Sequence, residues 1–322
     1  MALGCFISVG RELDTALERV RLAESLGYES AYVTHIAARD PLIVLTAYAA
    51  ATERIRLGTG VTPIYARTPV ATAQAAATID EYSGGRMVLG LGVSHRPVVE
   101  GWYGQRIDKP VREMREYVGA VRAIVRGEDP PAGEKWPTGF RFMGYGARAD
   151  LPVYVAALSP AMLRLAGEVA DGVILWLCEP GYVRDVVVPE VTKGRERAGR
   201  SLDGFDIVAA VPSAVTEDAD AARNTLRSDL IPYFSLPFYR AMIERAGFSD
   251  DIAAFDAKLK DGDAQAAAGE ISDGYLETLA AIGSADQANA TVQRYFDAGA
   301  TSPCVGPIAR TDFDATLRAL SR

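Results

Sequence analysis

The chain has 322 residues, 49% hydrophobic and 24% charged, with a formal net charge of −8 at pH 7. That is the composition of a soluble globular protein with a sizeable core, and the acidic balance without any basic cluster gives no footprint for nucleic acid or an anionic membrane. No stretch approaches the roughly 18 apolar residues of a membrane span and no charged leader precedes an apolar run, so a cytoplasmic protein is expected.

Short apolar, β-rich runs alternate with longer amphipathic ones. The first strand is expected in LGCFIS (3–8), followed by a helix through Leu13, Leu17, Val20 and Leu26 that stops at Gly27. SAYVT (30–34) is the second strand and 41–51 the second helix. RIRLGTGV (54–61) is the third strand, and Thr68 with Pro69 supplies an N-cap and first turn for an Ala-rich helix ending near Ser83.

RMVLGLGV (86–93) reads as the fourth strand, and Val111, Met114, Val118, Val121 and Val125 mark a helix over 109–126. Residues 127–149, rich in Gly, Pro and aromatics, interrupt the rhythm. PVYVAA (152–157), GVILWL (172–177) and FDIVAAVP (205–212) follow as strands with helices between them. Residues 218–298 read as helical almost throughout, and TSPCVGP (301–307) is the last strand.

Eight strands joined by helical crossovers imply a parallel sheet closing as a (β/α)8 TIM barrel, with a helical insertion at about 228–282 after strand seven and one domain over 1–322. The alternative, an open doubly wound sheet, lacks GxGxxG after the first strand and an acidic residue after the second. Cys5, Cys178 and Cys304 are too scattered for a disulfide framework or zinc site; they read as core residues in a reducing compartment. No metal is expected.

In a barrel, chemistry belongs to the loops after strand carboxyl ends. Both histidines fall there, His35 after strand two and His95 after strand four. The bland reading makes each a loop cap or a satisfied core group. GLGVSH (90–95) places small residues where backbone amides can approach a ligand. Ser159 before Pro160 starts a helix whose free amides suit a phosphate, although Ser159 also reads simply as an N-cap. The run of glycines in LGTGV raises a further question, why a strand tip needs bare backbone; an ordinary bend at a barrel corner is one answer.

LGTGVTPIYARTPVATAQAAATIDEYSGGRMVLGLGVSH, with SAYVTHIAARDP, LSPAMLRLAGEVADGVI and IPYFSLPFYRAMIERAGF, resembles the bacterial luciferase-like superfamily. The likeness is to its branch using the deazaflavin coenzyme F-420, that of methylenetetrahydromethanopterin reductase-type enzymes. It implies a non-prolyl cis peptide at Gly60–Val61 supporting the deazaflavin ring, with glycine leaving the ring room. It places Thr34 and His35 at the reactive edge, Gly92, Val93, Ser94 and His95 along the ribityl chain and phosphate, and Leu158 and Ser159 in the phosphate pocket. Many relatives carry an acidic residue where this chain has Thr34.

The resemblance implies an oxidoreductase moving a hydride between F-420 and a small organic substrate, with His35 the catalytic proton partner. One alternative is an FMN-dependent monooxygenase, and another is a non-catalytic flavin-binding protein. Tyr65, Trp176 and Glu179 are weaker candidates for the substrate side. The segments 97–108, 127–149 and 228–282 are expected to shape the pocket, with Trp102, Tyr103, Trp136 and Phe140 lining it. A homodimer is expected by analogy, through the Ala-rich faces of the second and third helices.

Overall fold

The computed structural model describes residues 2–321. In chain order the elements are β1 (Gly4–Phe6), α1 (Leu13–Ser25), β2 (Ser30–Val33), α2 (Pro41–Ala51), β3 (Arg56–Thr59), β4 (Thr62–Pro63), α3 (Pro69–Tyr82), β5 (Met87–Gly92), α4 (Arg96–Trp102) and α5 (Pro110–Arg126). Then come β6 (Val153–Ala156), α6 (Pro160–Val169), β7 (Gly172–Trp176), α7 (Pro180–Tyr182), a π-helical turn (Val183–Val187), α8 (Val188–Arg197) and β8 (Asp206–Val215). The chain closes with α9 (Ala219–Phe234), α10 (Pro237–Arg245), α11 (Ser249–Lys260), α12 (Ala264–Gly269), α13 (Asp273–Leu279), β9 (Ala281–Gly283), α14 (Ala285–Asp297), β10 (Ser302–Pro307) and α15 (Phe313–Leu320).

The strand order is β10-β1-β2-β3-β5-β6-β7-β8-β9, with β8 paired again to β10 and β4 to β5. This is the order of a (β/α)8 barrel, as expected. Two short strands were not anticipated. The third strand divides into β3 and β4, and β9 extends the edge of β8 within the region expected to be helical, Ser213 opposite Ala281.

Two compact units make up the chain. One comprises Phe6–Ile174 and Glu190–Asp206. In it β2 pairs with β3 (Ser30 opposite Arg56), β3 with β5 (Leu57 opposite Met87), β5 with β6 (Leu89 opposite Val153) and β6 with β7 (Tyr154 opposite Gly172), all parallel. The strands are buried along their length, as parallel strands covered on both faces must be. Helix starts follow cap chemistry: Asp40 accepts from Leu42 N, Thr68 from Ala71 N and Ser159 from Met162 N, each followed by proline.

The other unit comprises the chain up to Cys5, Leu175–Pro189 and the chain from Ile207. Here β10 lies between β1 and β8 (Gly4 opposite Cys304, Ser302 opposite Val208). A capping box of Ser284 and Gln287 opens α14. Cys5, Cys178 and Cys304 are buried and none of them is in a disulfide.

Candidate active site

In the first unit the strands surface together at their carboxyl ends. Val33, Thr59 and Leu91 are buried, whereas Thr34 and His35, Gly60 and Val61, and Val93, Ser94 and His95 are partly exposed. Leu158 and Ser159 are partly exposed after β6. The sequence reading thus placed each of these residues at the end of a strand, where a barrel carries its chemistry.

The β2 and β3 tips are joined. Gly60 N donates to the Val33 carbonyl at 2.8 Å, immediately before Thr34 and His35. The Thr34 and Ser8 hydroxyls are 2.7 Å apart. Gly60–Val61 is a non-prolyl cis peptide, and it is the half-open part of a stretch in which residues 57–59 and 62–65 are buried.

The glycines here have a packing reason. A Cβ on Gly60 would overlap Phe6 Cε1 and lie 3.2 Å from Tyr32 Cβ, and one on Gly58 would meet the Tyr32 ring. A Cβ on Gly90 would run into the Thr59 carbonyl oxygen and Ile174 Cδ1, and one on Gly92 would lie 2.5 Å from Val61 Cγ2. The expectation that glycine leaves space for a ring at position 60 is therefore corrected. Neighbouring side chains fill that space, and what is left to a ligand is the partly exposed Gly60–Val61 stretch itself.

His35 has a partly exposed imidazole whose Nδ1 is buried and without a hydrogen-bond partner. The Tyr103 ring stands edge-on to it, centroids 6.4 Å apart. Burial holds the His35 imidazole below its ordinary value; Asp40 raises it and Arg67 lowers it. Burial lowers His95 likewise. His95 is the N-cap residue of α4, a short helix within the segment expected to be loop, and Ser94 before it has a left-handed φ of 58°.

Three residues that sequence reasoning missed brace this region. Arg67 Nη1 donates to Asp40 Oδ2 at 2.7 Å, and Arg39 donates to the carbonyls of Gly10 and Arg11, both at 2.8 Å. Asp40 and Arg67 are 27 residues apart, on loops after β2 and β4, and only the shared position at strand ends could have paired them.

Tyr65 does not face a substrate space. It is 5% exposed and donates its hydroxyl to buried Glu113, which with burial pushes the phenol up; Lys109 N donates to the same carboxylate at 3.3 Å. The segment 127–149 was expected, as one of three loop segments, to shape the pocket, with Trp136 and Phe140 lining it. It follows α5 rather than a strand, so it starts from the opposite end, and it is strapped along the helices. Tyr145 donates to Ala77 O at 2.9 Å, Arg148 spans both Asp80 oxygens at 2.8 Å, and Glu116 accepts from Lys135 N at 2.8 Å. Trp136 packs on Tyr65 and Tyr117, and Phe140 on Phe142.

In the second unit Trp176 is half-buried, with Tyr233 edge-on at 6.0 Å and Tyr239 beyond it at 4.9 Å. The Glu179 carboxylate is occupied in capping α7, accepting from Gly181 N and from Tyr182 N. Among the described residues no His, Cys, Asp and Glu grouping could hold a metal ion, and no helix is long and apolar enough to cross a membrane.

Residues 1–302 match the family of luciferase-like monooxygenases. A Mycobacterium tuberculosis protein named as a coenzyme F-420-dependent oxidoreductase is 32% identical over 306 residues, covering 88% of each chain. The 5,10-methylenetetrahydromethanopterin reductase of Archaeoglobus fulgidus is 32% identical over 294 residues, 89% of this chain and 87% of that one. The structure of the coenzyme F-420-dependent tetrahydromethanopterin reductase of Methanopyrus kandleri superimposes with a TM-score of 0.83 at 24% identity, covering 100% of this chain and 98% of that one. With its strand order and its family match over nearly the whole length, the chain belongs to the luciferase-like monooxygenase family of barrel enzymes.

Proposed function

We propose that the protein is an F-420-dependent oxidoreductase acting on a small organic substrate. The observation that carries this is the joined tip of β2 and β3, where a half-open peptide at Gly60–Val61 is bonded beside Thr34 and His35. The relatives named for F-420 support the choice of cofactor over FMN.

The donor set fits such a cofactor. The partly exposed Gly60–Val61 stretch, with a glycine in it, would suit a flat ring. Gly92, Val93, Ser94, His95, Leu158 and Ser159 offer amides and hydroxyls, with no carboxylate among them, for a ribityl chain and phosphate. When bound, the deazaflavin supplies a carbon that takes or gives hydride. His35, whose imidazole burial holds below its ordinary value, would accept a proton from the substrate and, in the reverse direction, return the proton it has taken up, and Thr34, tied to Ser8, would orient the reacting group.

The protein would work in a reducing cytoplasm, which suits its three buried thiols outside any disulfide, and as a homodimer. The outer face of α2 carries Ile43, Thr46 and Ala50, all exposed, and α2 has no charged residue. On α3 the exposed Gln74, Thr78 and Tyr82 are uncharged too, with exposed Glu81 the one carboxylate beside them, and these faces would pack against a second copy of the chain.

Fluorescence titration with F-420 and with FMN tests the reading, followed by single-turnover hydride transfer with His35→Ala. F-420 should bind at least about tenfold more tightly, and the variant should retain the cofactor while turnover falls by about 10²-fold or more. Preference for FMN with oxygen-consuming turnover would overturn it.

A further inference from the structure

We propose that Tyr103 is a positioning residue for His35, a fixed wall against the imidazole, and that residues 104–109 with Lys135 form the bracket that holds it there. The inference rests on the reading of His35 as the proton partner.

The imidazole lacks its usual anchor. A working histidine is commonly oriented by a hydrogen bond at its second ring nitrogen, but His35 Nδ1 is buried and without a partner. Packing must set the ring instead. Tyr103 stands edge-on to it, with centroids 6.4 Å apart and planes at 74°, an attractive arrangement for two aromatic groups. Tyr103 is partly exposed, and burial pushes its phenol up, so the wall stays uncharged over the range in which an imidazole titrates.

The chain after Tyr103 is tied at successive points. Tyr103 ends α4, and Gly104 turns the chain with a left-handed φ of 62°. Gln105 N donates to the Val99 carbonyl at 3.2 Å, and Arg96 Nη2 donates to the Ile107 carbonyl at 2.9 Å, with the Ile107 side chain buried. Glu113, which takes the Tyr65 hydroxyl, also accepts from Lys109 N at 3.3 Å. The Arg106 carbonyl accepts from Lys135 Nζ at 3.1 Å. That ammonium lies 5.7 Å from the centre of the Tyr65 ring and 5.9 Å from that of Trp136, within range of a cation–π attraction to both.

The segment 127–149 therefore reaches His35 at one remove. Lys135 holds Arg106, the loop from 104 holds Tyr103, and Tyr103 stands against the imidazole. A lid that swings freely would not be tied at 105, 106, 107 and 109. A wall so tied keeps the imidazole in one orientation and covers one side of it, leaving the other sides to a substrate.

Diethylpyrocarbonate acylates a neutral, accessible imidazole, and the chain contains only two histidines, so peptide mass spectrometry at pH 7.5 follows His35 with His95 as the control in the same molecule. The full chain is used without cofactor, which separates this result from failure of F-420 binding or of hydride transfer. Tyr103→Ala should raise the His35 rate by about threefold or more, and Tyr103→Phe, which keeps the ring, should react as the wild type does. Lys135→Met, which removes the donor and the cation, should raise the His35 rate by about twofold to fivefold. Lys135→Arg, whose guanidinium can still donate to the Arg106 carbonyl, should leave it near the wild-type rate. The His95 rate should not move in any of these variants. An unchanged His35 rate in Tyr103→Ala or in Lys135→Met overturns the inference, as does a phenylalanine variant that reacts like the alanine one. Rates that rise together at both histidines would show a general loosening of the fold and overturn it too.

Discussion

Phe6 and Gly60 occupy complementary space: a β-carbon on Gly60 would overlap Phe6 Cε1, and Tyr32 Cβ would lie 3.2 Å away. Both rings are buried, with centroids 5.5 Å apart. Gly60→Ala should therefore destabilise the protein by about 1–3 kcal/mol, read as a lower urea midpoint. Phe6→Leu in the same chain should recover much of that loss relative to Phe6→Leu alone. Additive losses in this double-mutant cycle would show that the contact is not the cause.

The same pair shows what the sequence could and could not say. The glycine pattern marked an unusual strand tip, and the family resemblance pointed to a cis bond that is present at Gly60–Val61. Which atoms fill the space beside Gly60 depends on β1, more than fifty residues earlier, and no local pattern carries that. The alternation of strands and helices was legible because β-rich apolar runs and capped amphipathic helices are local signals. β9 was not: three residues, Ala281–Gly283, have too little side chain to announce a strand, and their pairing with β8 is long-range.

Residues 127–149 were misplaced for a different reason. Their aromatics suggested a pocket lining, but Trp136 is spent on Tyr65 and Tyr117, and the Asp80–Arg148 pair fixes the segment to α3. Position in the strand-helix unit outweighs composition, since a connection that follows a helix begins at the end of the barrel away from the chemistry. The histidines, by contrast, do lie at strand ends as their place in the unit implied, while the Asp40–Arg67 pair was hidden by sequence distance.

Both imidazoles are held below the ordinary value of 6.5 by burial, which gives stability a pH dependence of known sign. As pH falls through about 6.5 the unfolded chain takes up protons that the folded chain refuses, so stability should fall, levelling off once the folded imidazoles also protonate. Carboxylates held low, such as Glu24 and Glu168, act only in a lower window, below their ordinary value of 4.5. Urea unfolding at pH 7.5 and pH 5.5 should show the loss, and a His35→Gln, His95→Gln protein should show a flatter profile. An equal slope in that protein would assign the loss to other groups.

Ile43 is 73% exposed in the first turn of α2, on the uncharged outer face of that helix proposed to meet a second copy. An arginine there would have to be desolvated in a closely packed interface, so Ile43→Arg should weaken self-association by about tenfold or more while leaving the monomer folded. Sedimentation velocity over a concentration series checks this. A wild-type protein that sediments as a monomer, or a variant that associates as the wild type does, would remove the dimer from this face.

Ser159 separates a structural role from a binding one. Its hydroxyl accepts from Met162 N at 3.3 Å, so Ser159→Ala should cost about 1 kcal/mol whether or not anything binds there. Aspartate caps as well as serine does and its charge suits a helix N-terminus, so Ser159→Asp should keep stability within about 0.5 kcal/mol of wild type. A carboxylate at this position would nevertheless repel a phosphate, and F-420 should bind about tenfold or more weakly to Ser159→Asp. The phosphate-free deazaflavin should bind the variant and the wild type alike. Equal weakening of both ligands would mean that the substitution disturbs the ring site, and no weakening of either would move the phosphate away from α6.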